Sequence, residues 1–201
     1  MSQLPAFEVS YDYLCPFAHI AHEHLVEAVR AEPGWDVTFT PWTLRQVHKD
    51  EDAPDVWDDP AKRDDLLAME ASVVVRDEWP EQFLDVHLAL FRARHDRGIR
   101  LSTRDEVASV LTEAGADTDA VLELVDAGGP RKELAASWRR LVDDHAHFGV
   151  PTFVVGDEAV FVRLMQRPTS PGDAVGAIES IVTALVDDTR LHEFKRTKLA
   201  R

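Results

Sequence analysis

Cysteine is nearly absent from this chain: Cys15 stands alone among 201 residues. One thiol excludes an internal disulfide and any cysteine-rich zinc site. Basic charge is scarce as well. The 22 Lys and Arg face 37 Asp and Glu, a formal net charge of -15. Backbone phosphates are bound by clustered Lys and Arg, so this balance argues against duplex nucleic acid or an anionic membrane as partner. Apolar runs stay far short of the roughly 20 residues that span a bilayer. The stretch Met1-Ser2-Gln3-Leu4-Pro5 has neither the basic nor the apolar segment of a secretory signal. Gly-X-Gly-X-X-Gly, phosphate-loop and Ser-elbow motifs are missing, which counts against a nucleotide fold. The expected setting is the cytoplasm, where a lone thiol stays reduced.

What is present reads as a globular α/β chain. Hydrophobic residues make up 45 %, enough for one large domain or a domain with a sizeable insertion. Phe7, Val9 and Tyr11 alternate with Glu8, Ser10 and Asp12, the period of a strand. Pro16 suits the first position of a helix whose apolar face is Ala18, Ala21, Leu25 and Val29, ended by Pro33-Gly34. A second alternation, Trp35, Val37, Phe39, closes at Pro41, which marks an edge or a strand end. Residues 6–44 therefore read as β-α-β with parallel strands.

From His48 to Asp65 eight acids mingle with Pro54 and Pro60, the composition of a solvated loop. Only helical periods follow, to about residue 147. Thr103-Arg104-Asp105-Glu106 has capping-box spacing, and Pro130 opens the last helix of this block. Pro151 to Val155 and Ala159 to Val162 form a hairpin across Gly156-Asp157, and Ser170-Pro171 starts a final helix.

Cys15 falls where the first strand hands over to the first helix. At a helix N-terminus, free N–H groups and the macrodipole favour thiolate over thiol, so Cys15 reads as a reactive nucleophile. The alternative is a small buried hydrophobe. His19, His22 and His24 follow on the same helix, with His19 and His22 spaced for one face. They read as partly exposed histidines rather than metal ligands, and no metal is expected. A His19 imidazolium would lower the Cys15 thiol further. His145 and His147 precede the hairpin and could approach the same site or sit at a helix end. Trp42 and Trp79 read as core or as the wall of an aromatic pocket.

Two motifs, Tyr11-Asp12-Tyr13-Leu14-Cys15-Pro16-Phe17 and Gly149-Val150-Pro151-Thr152-Phe153, carry a resemblance in this element order. The chain resembles the DsbA-like branch of the thioredoxin superfamily. The resemblance implies an α/β thioredoxin-like fold, β-α-β … β-β-α, with an all-helical insertion. Residues 1–47 and 148–201 would form the thioredoxin-like domain, and 48–147 the insertion with its acidic leading loop. Leu191 to Thr197 is similar to the tail of the mycothiol-dependent nitroreductase subgroup. A more distant likeness is to the kappa glutathione transferase and 2-hydroxychromene-2-carboxylate isomerase group.

By that resemblance Cys15 takes the place of the nucleophilic cysteine of Cys-X-X-Cys, and Pro151 that of a cis-proline facing it. The residues alone read Pro151 as an ordinary trans, strand-initiating proline. Pro16, Phe17, Ala18, His19, Val150 and Pro151 would bind substrate or thiol. Ala18 is the departure: it stands where a dithiol enzyme has its resolving cysteine, so a mixed disulfide on Cys15 needs an external thiol. The implied activity is a monothiol oxidoreductase with no tightly bound cofactor. Mycothiol or glutathione would be co-substrate, an electrophile or disulfide the substrate, and a homodimer the assembly. The alternatives are a kappa-type transferase or isomerase and a non-catalytic binding protein.

Overall fold

The computed structural model describes residues 4–187, so the tail segment Leu191 to Thr197 lies outside the described residues. Phe7–Tyr11 forms β1 and Pro16–Ala31 forms α1, which returns the chain to β2, Val37–Pro41, parallel to β1. A four-residue helix α2, Leu44–Val47, follows. It was not expected, because four residues are too few to show a helical period. Thr43 starts it by accepting from the Arg45 N–H at 3.2 Å.

The acidic stretch is mostly solvated turns, yet Val56 and Trp57 anchor it in the core. A 3-10 turn at Pro60–Lys62 leads into the helical block. Its helices are α3 (Arg63–Glu78), α4 (Pro80–His95), α5 (Arg104–Glu113), α6 (Thr118–Asp126) and α7 (Gly129–His145). The Thr103 box closes with a shift of one residue: the Glu106 N–H donates to the Thr103 hydroxyl, and the Glu106 carboxylate accepts from the N–H of Ser102, just before the cap. Strands β3 (Thr152–Val155) and β4 (Glu158–Phe161) form the hairpin, and α8 (Pro171–Asp187) is capped by the Ser170 hydroxyl on the Asp173 N–H.

The sheet order is β2-β1-β3-β4, so β1 is an inner strand, parallel to β2 and antiparallel to β3. Pro41 sits at the end of an edge strand, where its missing N–H costs no ladder bond. The simple alternation read for β1 holds only in part, because Ser10 and Asp12 are buried along with Val9 and Tyr11. An inner strand covered on both faces buries both sets of side chains. Helices α1 and α8 pack together, α4 lies on α1, and α7 reaches β2, where the Ser137 hydroxyl donates to the Pro41 carbonyl at 2.9 Å.

Candidate functional site

The turn between β1 and α1 is built by Asp12. Its backbone carbonyl accepts from the Cys15 N–H at 3.0 Å. One carboxylate oxygen accepts from the Leu14 N–H at 2.8 Å, and the other from the Leu44 N–H at 2.6 Å, tying the turn to α2. Burial pushes the Asp12 carboxyl up, against the pull of those two amides. This turn sets Cys15 as the N-cap of α1, with extended backbone and Pro16 opening the helix.

From that position the Cys15 sulfur meets two backbone groups. Sγ lies 3.5 Å from the Ala18 N–H, which points at it, and 3.2 Å from the Val150 carbonyl, to which the thiol donates. The Val150–Pro151 peptide bond is cis. The two sequence motifs, 135 residues apart, thus meet at one sulfur. Pro16 is exposed, Phe17 half-buried and Ala18 fully buried beneath the cap. A Cβ at Gly149 would come within 3.3 Å of the Phe161 ring, so the loop lies close against β4.

The expected depression of the Cys15 thiol is reversed in this resting state. Burial pushes it up, and the N–H groups of Ala18 and Phe17 pull it down less strongly. Asp12 adds to the rise, while Arg163 opposes it. Arg163 is pinned by two rings, its guanidinium carbon 4.7 Å from the Phe17 centroid and 5.2 Å from that of Phe161. Phe148, 69 % exposed, leans on Phe161 and extends this rim. The cation acting on the sulfur is therefore Arg163. Nothing in its sequence spacing marks it, since it meets Cys15 only through the fold.

His19 is committed elsewhere. Its Nε2 is 3.2 Å from Glu23, and its ring stacks on Phe91 and His95. All three α1 histidines are buried, which corrects the reading of partly exposed side chains. His19 and His22 also do not share a site. His19 groups with Glu23 and Asp96, whose ligand atoms lie within 4.8 Å of one another. Arg92 holds Glu23 with two hydrogen bonds, and Arg167 pairs with Asp96, so arginines fill the place of a cation there.

His22 joins a buried relay instead. Its Nε2 faces the Ser10 carbonyl at 3.2 Å, its Nδ1 faces His87 Nε2 at 2.9 Å, and His87 Nδ1 faces the Tyr13 hydroxyl at 2.9 Å. Burial pushes His22 down to about 3 and His87 well below its usual range, so both rings are neutral at pH 7. A carbonyl can only accept. The hydrogens therefore run one way, from Tyr13 to His87 to His22 to Ser10. The relay clamps Tyr13, two residues before Cys15. His147 is buried against Trp42 and faces the Ser10 hydroxyl at 3.1 Å; His145 sits at the end of α7. Trp42 is core, stacked on Trp138, and Trp79 joins α3 to α4.

A four-stranded mixed sheet with its first helix capped by a lone cysteine, opposite a cis-proline, defines a thioredoxin-like domain interrupted by helices. Residues 7–167 match the DSBA-like thioredoxin domain, and the chain belongs to that family. Solved structures agree on the fold. The cytosolic disulfide reductase DsbM from Pseudomonas aeruginosa with GSH is 16 % identical, with a TM-score of 0.62, covering 88 % of this chain and 98 % of that one. A 2-hydroxychromene-2-carboxylate isomerase is 17 % identical, TM-score 0.61, covering 90 % and 95 %. DsbA of Pseudomonas aeruginosa is 20 % identical, TM-score 0.57, covering 90 % and 85 %. No curated protein matches. Among the described residues no helix is long and apolar enough to cross a membrane.

Proposed function

We propose that the protein is a DsbA-like thiol oxidoreductase working through Cys15 alone. One observation carries this reading: the Cys15 sulfur sits between the Ala18 N–H and the Val150 carbonyl, with no second cysteine in the chain to answer it. The thiol gives its proton to solvent, and the thiolate turns from the Val150 carbonyl to the N–H groups of Ala18 and Phe17. It attacks one sulfur of a disulfide R–S–S–R, forming Cys15–S–S–R and releasing R–S⁻. A second small thiolate R′–S⁻ then attacks the sulfur of R, releasing R–S–S–R′ and restoring the Cys15 thiolate. Mycothiol or glutathione is the proposed small thiol, bound along Pro16, Phe17, Ala18, Val150 and Pro151. A DsbM structure with GSH among the neighbours supports a partner of that kind. The same reading places the protein in the cytoplasm, where its lone thiol stays reduced.

The test is intact mass spectrometry after exposure to oxidised mycothiol and, separately, oxidised glutathione. One adduct per chain, removed by the reduced thiol and absent in Cys15→Ser, is the expected result; no adduct with either overturns the reading.

The raised Cys15 thiol favours a second reading. A Cys15 that keeps its proton can donate a hydrogen bond to the sulfur of a bound small thiol, which then reacts itself, as in a kappa-type transferase or isomerase. Cys15→Ser would retain most of the turnover in that case, because a hydroxyl also donates, whereas the monothiol cycle would stop.

A further inference from the structure

We propose that the crevice between the Tyr13–Leu14 turn and the helical block binds a carboxylate. Arg45 from α2, Arg94 from α4 and Arg100 from the link to α5 line it, together with Asp12, Asp65 and Leu101. Its interior, about 10 Å³, has room for about one water-sized group, so it admits the tip of a head group and not a whole co-substrate.

The two acids in the wall are already occupied. Asp12 accepts from the Leu14 and Leu44 amides, and Asp65 pairs with Arg45 at 3.1 Å and with Lys62 at 3.9 Å. Arg94 and Arg100 have no ion-pair or side-chain hydrogen-bond partner among the described residues, although the chain carries 37 acids. The Nε of Arg45 is buried without a hydrogen-bond partner among the described residues. Leu101 holds φ 56, a left-handed conformation that a leucine rarely adopts, with its side chain buried beside exposed Arg100.

Three guanidiniums against two carboxylates leave one net positive charge, which matches a monoanion better than a phosphate dianion. The planar guanidinium fork also matches the two oxygens of a carboxylate. Leu14, in the crevice wall, directly precedes Cys15 in the chain. That the carboxylate belongs to the molecule reacting at Cys15 rests on the function proposed above; the anion site itself does not.

The test uses Cys15→Ser protein, so that binding is read without thiol chemistry, and titration calorimetry at low salt. S-methylglutathione places the carboxylate on the thiol partner, and 4-nitrobenzoate places it on an electrophile-like partner. At least one is expected to bind. In Arg94→Ala/Arg100→Ala its affinity should fall about tenfold or more, in keeping with loss of charge-assisted pairs. The corresponding double Lys variant should lose less, and Arg139→Ala, a surface control, should lose nothing. Added salt should weaken binding, and inorganic phosphate should compete poorly. Failure of both probes to bind, equal affinity in the double Ala variant, or tighter binding of phosphate overturns the proposal. If a probe binds as expected while Cys15 takes no adduct, the crevice stands and the monothiol reading falls.

Discussion

At the scale of single residues, the chemistry of the sulfur is a contest between burial and a few donors. Two amides and the Arg163 charge favour the thiolate, while desolvation and Asp12 oppose it, and burial wins in the resting protein. Iodoacetamide alkylation of Cys15 is therefore expected to titrate above about 8.5, the ordinary thiol value. Arg163→Ala should raise that midpoint further, because it removes the nearby positive charge. A midpoint below the ordinary value would mean that the helix amides outweigh burial. Ala18 is the other decisive position. Its N–H already points at Sγ from 3.5 Å, so Ala18→Cys places a second sulfur one turn from the first. Oxidation of that variant should lower its intact mass by about 2 Da without any adduct, the signature of an internal disulfide. Retention of two free thiols after diamide treatment would show that the buried site does not admit the pairing.

At the scale of elements, the relay through α1 and α4 couples the Cys15 turn to stability. His22 is held near 3 in the folded chain but returns to about 6.5 when unfolded. The unfolded state thus binds more protons below about pH 6.5, and stability falls as the pH drops through that range. This one group should remove about 2 kcal/mol by pH 5, and His147, lowered to about 4, acts in the same direction. Urea midpoints measured from pH 7 to pH 5 should fall, and His22→Gln should flatten the slope while keeping a donor for the Ser10 carbonyl. A slope unchanged in His22→Gln would exclude the relay as its source. The Asp12 bridge to α2 gives a companion expectation. Asp12→Ala leaves the Leu14 and Leu44 amides without their acceptor and should cost about 2–4 kcal/mol in chemical denaturation. These elements were legible in part. Capping at Thr103, Pro at helix starts and the period of α1 are local chemistry, visible in a line of residues. The partners of His22 and His87, and the Leu44 amide held by Asp12, are not, because each lies on a different element.

At the scale of the whole molecule, net charge is the dominant long-range term. A chain at -15 repels itself, and its exposed pairs, such as Arg63 with Asp126 and Arg104 with Asp126, contribute little in return. Moderate salt at pH 7 should therefore raise the melting temperature by about a few degrees, through screening over a Debye length of roughly 8–10 Å. The gain should shrink as the pH approaches 4.9, where net charge vanishes. A melting temperature that falls with salt at pH 7 would show that the surface pairs outweigh the repulsion.

Local pattern alone determined the β-α-β start, the run of helices, the hairpin across Gly156-Asp157 and the position of Cys15 at a helix start. Each depends on residues within one or two turns of each other, where period, caps and turn chemistry act. Tertiary structure alone decided that the Val150–Pro151 bond is cis, that the sulfur faces the Val150 carbonyl, and that burial rather than the helix end governs its proton. It also decided that Arg163, not His19, is the cation at the sulfur. Those outcomes depend on desolvation and on groups brought together from more than 130 residues apart, as with Cys15 and Val150. No spacing along the chain records them.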